Sequence, residues 1–175
     1  MGNLGKVLAA PGQFSINYGQ ALLKDLEQDN FARHPLIDGK RIATNHPAWV
    51  YGHLAIYSST MCGMLGIDVG PTARPDGWDE LFKNGTECRD DPANTIYPAM
   101  NALTSHFMNG YKHVIAHLPE VSDDVLLKPN PAGGRFTEML PTVGNAVAFL
   151  VIGHPQMHLG QASTWRRTFG LGPAM

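Results

Sequence analysis

Apolar residues recur at helical spacing in four stretches of the chain, while the strict alternation of a half-buried strand is nowhere sustained. The first stretch runs from about Gln13 to Gln28. It repeats Phe14, Tyr18, Leu22 and Leu26 every four residues with Ala21 on the same face, and Asp29-Asn30 closes it. The second begins at Asn45, a good helix-capping type, with Pro47 in the first turn where its missing N–H costs nothing. Its inward stripe is Trp49, Val50, His53, Ile56, Tyr57, Thr60 and Met64, and Gly66 ends it. The third starts near Pro98 and stops before Pro119. The fourth, from about Phe136 to Thr168, carries Leu140, Val143, Val147, Leu150, Val151, His154, His158, Ala162 and Trp165 on one face, and Gly170, Gly172 and Pro173 terminate it.

Two long connectors separate these stretches. The connector from about Ile67 to Tyr97 is broken up by Pro71, Pro75, Gly77, Gly85 and Pro92 and holds a short helical segment, Trp78 to Lys83. The one from Pro119 to Arg135 carries Pro129-Asn130-Pro131 and Gly133-Gly134. Structureless loops of such length are unusual in a compact domain, so both are expected to be packed or functional. No segment reads as a convincing strand. The expectation is an all-α chain, one domain over residues 1–175, built as a four-helix bundle with long second-to-third and third-to-fourth connectors.

Composition narrows the function. A formal net charge of -2, with no Lys/Arg block beyond Arg166-Arg167, excludes a basic face for nucleic acid. The N-terminus shows no secretory signal and, with Lys6, no myristoylation signal. The longest apolar run, Ala146 to Gly153, is too short to span a bilayer. Two cysteines, Cys62 and Cys88, make no disulfide framework, so a reducing cytoplasm is expected. Cys62 falls out of phase with His53 and reads as a small buried hydrophobe, and Cys88 lies on the connector where it can be exposed.

Eight histidines against 13 Lys and Arg are a high proportion, and their placement carries the chemistry. His154 and His158 are four apart on the fourth stripe, so they point the same way. His53 lies on the second stripe. Three imidazoles from two facing helices suit one divalent ion with open positions, the catalytic rather than the structural arrangement. The plain alternative is three core histidines held by hydrogen bonds. A rival row, His106, His113 and His117, shares a face of the third helix that includes Asn109 and Gly110, and it reads as solvated or as a subunit contact. Pro155 removes the hydrogen bond to Val151, so a kink or bulge is expected between His154 and His158. Trp49, Trp78 and Trp165 read as core or pocket wall, with Trp78 helping the connector cover the site. No carboxylate recurs in register with the three histidines, so no general base is named.

The segments Asn45-His46-Pro47-Ala48-Trp49-Val50-Tyr51-Gly52-His53-Leu54-Ala55 and His154-Pro155-Gln156-Met157-His158-Leu159-Gly160-Gln161 resemble the DinB-like family, the DinB/YfiT-type metalloenzymes. The resemblance covers nearly the whole chain, including Gly77-Trp78-Asp79-Glu80-Leu81-Phe82 in the connector and Arg166-Arg167 after the Gly-Gln pair. It implies a bundle of the up-down-down-up type, usually dimeric. It implies a divalent metal, zinc or nickel first and iron or manganese next, on His53, His154 and His158, with His46 outside the ligand set. Gln161 is placed to orient a ligand ring or a water on the metal.

Characterised relatives of that kind are thiol-dependent: bacillithiol S-transferase-like proteins and a mycothiol-dependent maleylpyruvate isomerase. The leading expectation is therefore a cytoplasmic, homodimeric enzyme acting on small molecules, whose metal activates a low-molecular-weight thiol for S-transfer. Arg166 and Arg167 would either attract an anionic thiol or stand as solvated charges at the helix end. Alternatives are a hydrolase using metal-bound water, a non-catalytic metal-binding or stress-response bundle, and a dimeric interaction module with plain core histidines.

Overall fold

The computed structural model describes residues 3–174, and helices dominate it. α1 is Leu4–Leu22 and α2 is the single turn Gln28–Phe31. A minimal hairpin follows, β1 (Leu36–Ile37) against β2 (Lys40–Arg41) in antiparallel register. The sequence reading had no strand here. The signal for it is Asp38-Gly39, both at positive φ, which is the backbone a tight two-residue hairpin requires. Then come α3 (Pro47–Leu65), α4 (Trp78–Phe82), α5 (Met100–His117), α6 (Asp123–Leu126), α7 (Gly134–Met139), α8 (Val143–Ala148) and α9 (His154–Thr168). Residues Phe149–Gly153 form a π-helical turn that joins α8 to α9 as one rod. α1 packs on α5 and α9, and α3 packs on the same two, so the four long elements close a ring around one core.

α1 departs from the expected Gln13–Gln28. It starts nine residues earlier and ends at Leu22. Its buried face is not the Phe14 stripe, since Phe14 is 55% exposed. The inward positions are Gly5, Gly12, Ser15, Ile16, Gly19 and Leu22. Gly5, Gly12 and Gly19 sit seven apart where the α5 side approaches most closely. A Cβ at Gly5 would lie 1.8 Å from the Leu118 carbonyl oxygen, and one at Gly19 would lie 2.8 Å from the Phe107 ring. Close approach at these glycines, beside Ile16 and Leu22, makes this interface, and a stripe of large apolar residues cannot reveal it.

α3 is enclosed on every side along its first half, with every residue from Pro47 to Ile56 buried. A helix apolar all round is a core helix. Its N-cap is His46, not Asn45: the His46 Nδ1 accepts from the Trp49 backbone N–H. Gly66 at φ 68° ends it as expected.

The fourth stretch is not one helix from Phe136. α7 ends before Pro141, which cannot continue a helix, and Thr142 caps α8 by accepting from the Asn145 N–H. The Pro129–Thr142 bridge and the buried Asn130, which donates to the Leu140 carbonyl, tie the connector down there.

Candidate metal centre

α3 delivers His53 and α9 delivers His154 and His158 to one point. Their nearest ring nitrogens lie within 4.8 Å of one another. His53 Nε2 is 3.0 Å from His154 Nε2. His154 and His158, one helical turn apart, have ring centroids 4.6 Å apart. Two nitrogens each about 2.0–2.1 Å from a shared ion sit roughly 3 Å apart, so the spacing suits a common cation.

Hydrogen bonds on the far side fix two of the rings. His53 Nδ1 faces the Phe82 carbonyl oxygen at 2.6 Å, the last turn of α4. A carbonyl only accepts, so Nδ1 carries the proton and the Nε2 lone pair is bare toward the centre. His158 Nδ1 likewise faces Gln161 Oε1 at 3.0 Å, and Gln161 Oε1 also accepts from Asn45 Nδ2 at 2.9 Å. Two bare lone pairs converging at a buried position are costly without a cation or proton between them. His154 Nδ1 has no partner among the described residues.

Burial keeps the three rings neutral. It lowers His53 from its ordinary 6.5 to about 4 and His154 to about 3, and it also lowers His158. Neutral imidazole is the form that binds a metal. Trp49 stacks on His53 at 4.6 Å and Tyr57 meets His154 edge-on at 4.8 Å, which locks both rings in place. Phe82 approaches so closely that a Cβ at Gly52 would lie 2.3 Å from its ring, so a residue next to the ligand must be glycine.

Pro155 produces its bulge upstream of His154 rather than between the two ligands. The π turn covers Phe149–Gly153, and α9 is regular from His154 onward, which preserves the one-turn spacing of His154 and His158. Proline leaves the Val151 carbonyl without its i+4 donor and the Leu150 carbonyl without its i+5 donor. Both are satisfied from other helices: the Ser15 hydroxyl donates to Val151 O and the Tyr111 hydroxyl to Leu150 O, each at 3.1 Å. The π turn also changes which residues share a face. Residues five apart diverge by about 140° around an α-helix but share a face over an i→i+5 turn. Phe149 thereby lies beside His154, with ring centroids 5.5 Å apart.

A cavity of about 550 Å³ opens against the three histidines. Both long connectors reach its wall, the first through Asn84 and the second through Ala132, with Phe136 of α7 beside it. Thr60 and Met64 continue the α3 stripe into it. Trp78 is not among the lining residues. It packs on Phe82 and His106 in the core, behind the carbonyl that holds His53.

Other residues singled out in the sequence fall elsewhere. His113 and His117 pair with each other and with backbone carbonyls, and His106 packs on Trp78, so this row is spread along α5 as a half-buried face. Cys62 is buried beside Thr72. Arg166 is neither solvated nor at the site. It is 1% exposed, and its Nη1 donates to the carbonyls of Leu22 and Lys24 where α1 ends. A second cluster, His34, His46 and Cys88, escaped sequence reading because its members come from two loops and a cap. There His46 Nδ1 caps α3 and Nε2 donates to the Arg89 carbonyl, and burial pushes the Cys88 thiol up to about 12. Hydrogen bonds therefore already occupy both His46 nitrogens, and the cluster serves the start of α3.

A family model for the DinB superfamily matches residues 16–162, a span that takes in all three histidines. No curated protein and no solved structure matches the chain significantly.

Proposed function

Since the chain belongs to the DinB superfamily, we propose that its four long helices form that family's up-down-down-up bundle and that His53, His154 and His158 hold one divalent ion, zinc or nickel first. The supporting observation is the pair of rings, His53 and His158, held by Phe82 O and Gln161 Oε1 in the tautomer that bares Nε2 toward His154. When bound, such an ion lowers the pKa of a thiol or water placed on it and holds the resulting anion beside a second reactant.

The reading we favour is S-transfer from a low-molecular-weight thiol. The cavity supports turnover over a purely structural metal, because an ion that only tied α3 to α9 would need no space of about 550 Å³ beside it. The absence of a carboxylate among the lining residues supports a nucleophile that ionises on the metal over water activated by a neighbouring base. The thiol proton would leave to solvent through the cavity mouth, where Met157 is 60% exposed. His53, His154 and His158 would hold the ion that positions the sulfur, and the aromatic wall would shield it from water. The new S–C bond forms as the electrophile's leaving group departs.

No helix of the described chain is long and apolar enough to cross a membrane, and we place the protein in the cytoplasm. We place a second copy on the stripe Leu4, Val7 and Phe14 of α1, which stays exposed among the described residues. The test of the metal reading is metal content by mass spectrometry on untagged protein. About one equivalent is expected in the wild type and almost none in His158→Ala. No metal in either after reconstitution overturns the reading.

A further inference from the structure

The cavity beside the three histidines differs in chemistry from the centre it serves. Its wall is Tyr57, Met64, Phe136, Phe149, Leu150 and Met157, joined by the small residue Ala132 and by two neutral polar side chains, Thr60 and Asn84. Apart from the three histidines, no lining residue is an Asp, Glu, Lys or Arg. Arg74, bonded to Thr60 Oγ1 from behind, is already spent on Asp79 at 2.7 Å and on the Ile56 carbonyl. The aromatic part of the wall is constructed rather than incidental. Phe149 reaches it through the π turn, and Phe136 of α7 meets Phe149 edge-on at 5.9 Å.

Two physical consequences follow. Three imidazoles are neutral donors, so a divalent ion on them keeps its full charge and favours one anionic donor atom from the ligand. The rest of the ligand must occupy a wall that offers a second charge no partner, and burying an unpaired charge is expensive. The volume, about 550 Å³, fits a body of drug-like size rather than a lone water.

We propose that this cavity selects a molecule with an uncharged, largely apolar or aromatic body that presents a single ionisable donor atom to the three histidines. Thiols with charged bodies are disfavoured. The proposal rests on the metal reading above for the donor atom, and on the cavity wall alone for the body.

The test is titration of the cobalt-loaded protein with three thiols, read from the cobalt visible spectrum. Ethanethiol supplies the donor atom alone, phenylmethanethiol adds a neutral aromatic body, and 4-(mercaptomethyl)benzoate adds one carboxylate to that body. Phenylmethanethiol is expected to bind roughly tenfold tighter or more than either of the others. Phe136→Ala, and independently Met157→Ala at an exposed position, should shrink the ratio of phenylmethanethiol to ethanethiol affinity. Equal or tighter binding of 4-(mercaptomethyl)benzoate, or no gain from the ring, overturns the proposal. If no thiol alters the spectrum, or cobalt does not bind, the metal–thiol reading fails and the body is decided separately on the metal-free protein. Ethylbenzene but not 4-ethylbenzoate should then raise the melting temperature, and a failure of ethylbenzene to do so overturns the inference.

Discussion

The Ser15 hydroxyl on α1 donates to the Val151 carbonyl, 3.1 Å away, and so replaces the N–H that Pro155 cannot supply. Gln156 Nε2 donates in turn to Ser15 Oγ, also at 3.1 Å. Ser15 and Val151 are fully buried, so loss of the hydroxyl would leave the carbonyl unpaired rather than hydrated. Ser15→Ala should cost about 1–3 kcal/mol, seen as a lower denaturant midpoint, and should loosen metal binding because His154 follows directly on this turn. Pro155→Ala restores a backbone donor. In that background Ser15→Ala should cost clearly less, and a double-mutant cycle measures the coupling. Strict additivity would show that the hydroxyl does not stand in for the missing N–H.

A metal joining α3 to α9 binds the folded state alone and must stabilise it by mass action. A chelator should therefore lower the melting temperature of the wild type, and His158→Ala should abolish that sensitivity. His113→Ala should keep it, because His113 bonds the Asp68 carbonyl far along α5 from the centre. Differential scanning calorimetry with and without chelator separates the two histidine rows. Chelator sensitivity that survives His158→Ala would move the site.

Acid should unfold the metal-free protein in a defined interval. Burial lowers His46 and His53 to about 4 and His154 to about 3, from an ordinary 6.5. Above pH 6.5 these rings are neutral in both the folded and the unfolded chain, so they leave stability independent of pH. Below 6.5 the unfolded chain takes up protons that the folded one refuses, so stability falls as pH drops toward 4. The melting temperature should decline across that window. His53→Phe, which removes one such ring, should flatten the decline; an unchanged slope would mean that the ring is solvated in the fold.

How much of this was legible in the sequence differs by kind of interaction. His53, His154 and His158 lie on apolar stripes, and side-chain periodicity found them. α5 and both ends of the short helix in the first connector were found to within two residues for the same reason. Features made by backbone groups left no such trace. Gly5 of α1 lies against the Leu118 carbonyl, the lock on His53 is the Phe82 carbonyl, and the partners of the Pro155 bulge are hydroxyls on α1 and α5. Asn45 looked like a cap from its type alone, yet its amide serves Gln161 while His46 caps the helix. Pro155 did announce a bulge, but which carbonyls would be freed, and so where the bulge falls, depends on donors far away in sequence.

Arg166 shows the same limit from the side of charge. It stood in the sequence as a helix-end cation, and in the fold it closes α1 by donating to the carbonyls of Leu22 and Lys24, at the negative end of that helix. Arg166→Ala should destabilise by about 2 kcal/mol, since hydrogen bonds to charged groups contribute about 1.5–3 kcal/mol and the carbonyls would stay buried. Metal content per folded chain should be unchanged. A selective loss of metal or thiol binding at wild-type stability would instead return Arg166 to the site.

Gln161 offers the converse case, a residue that should matter to the metal and little to the fold. It is exposed, and its Oε1 accepts from both His158 Nδ1 and Asn45 Nδ2. Without it His158 is free to place its proton on Nε2 and to turn away from the centre. Removing such a partner costs about 10–100-fold in metal affinity. Gln161→Ala should weaken metal binding to that extent in a competition titration, while the melting temperature of the metal-free protein shifts little. Gln161→Glu keeps an acceptor for Nδ1–H and should recover most of the affinity. Equal affinities in all three proteins would show that His158 is oriented by Trp49 and the α9 backbone alone.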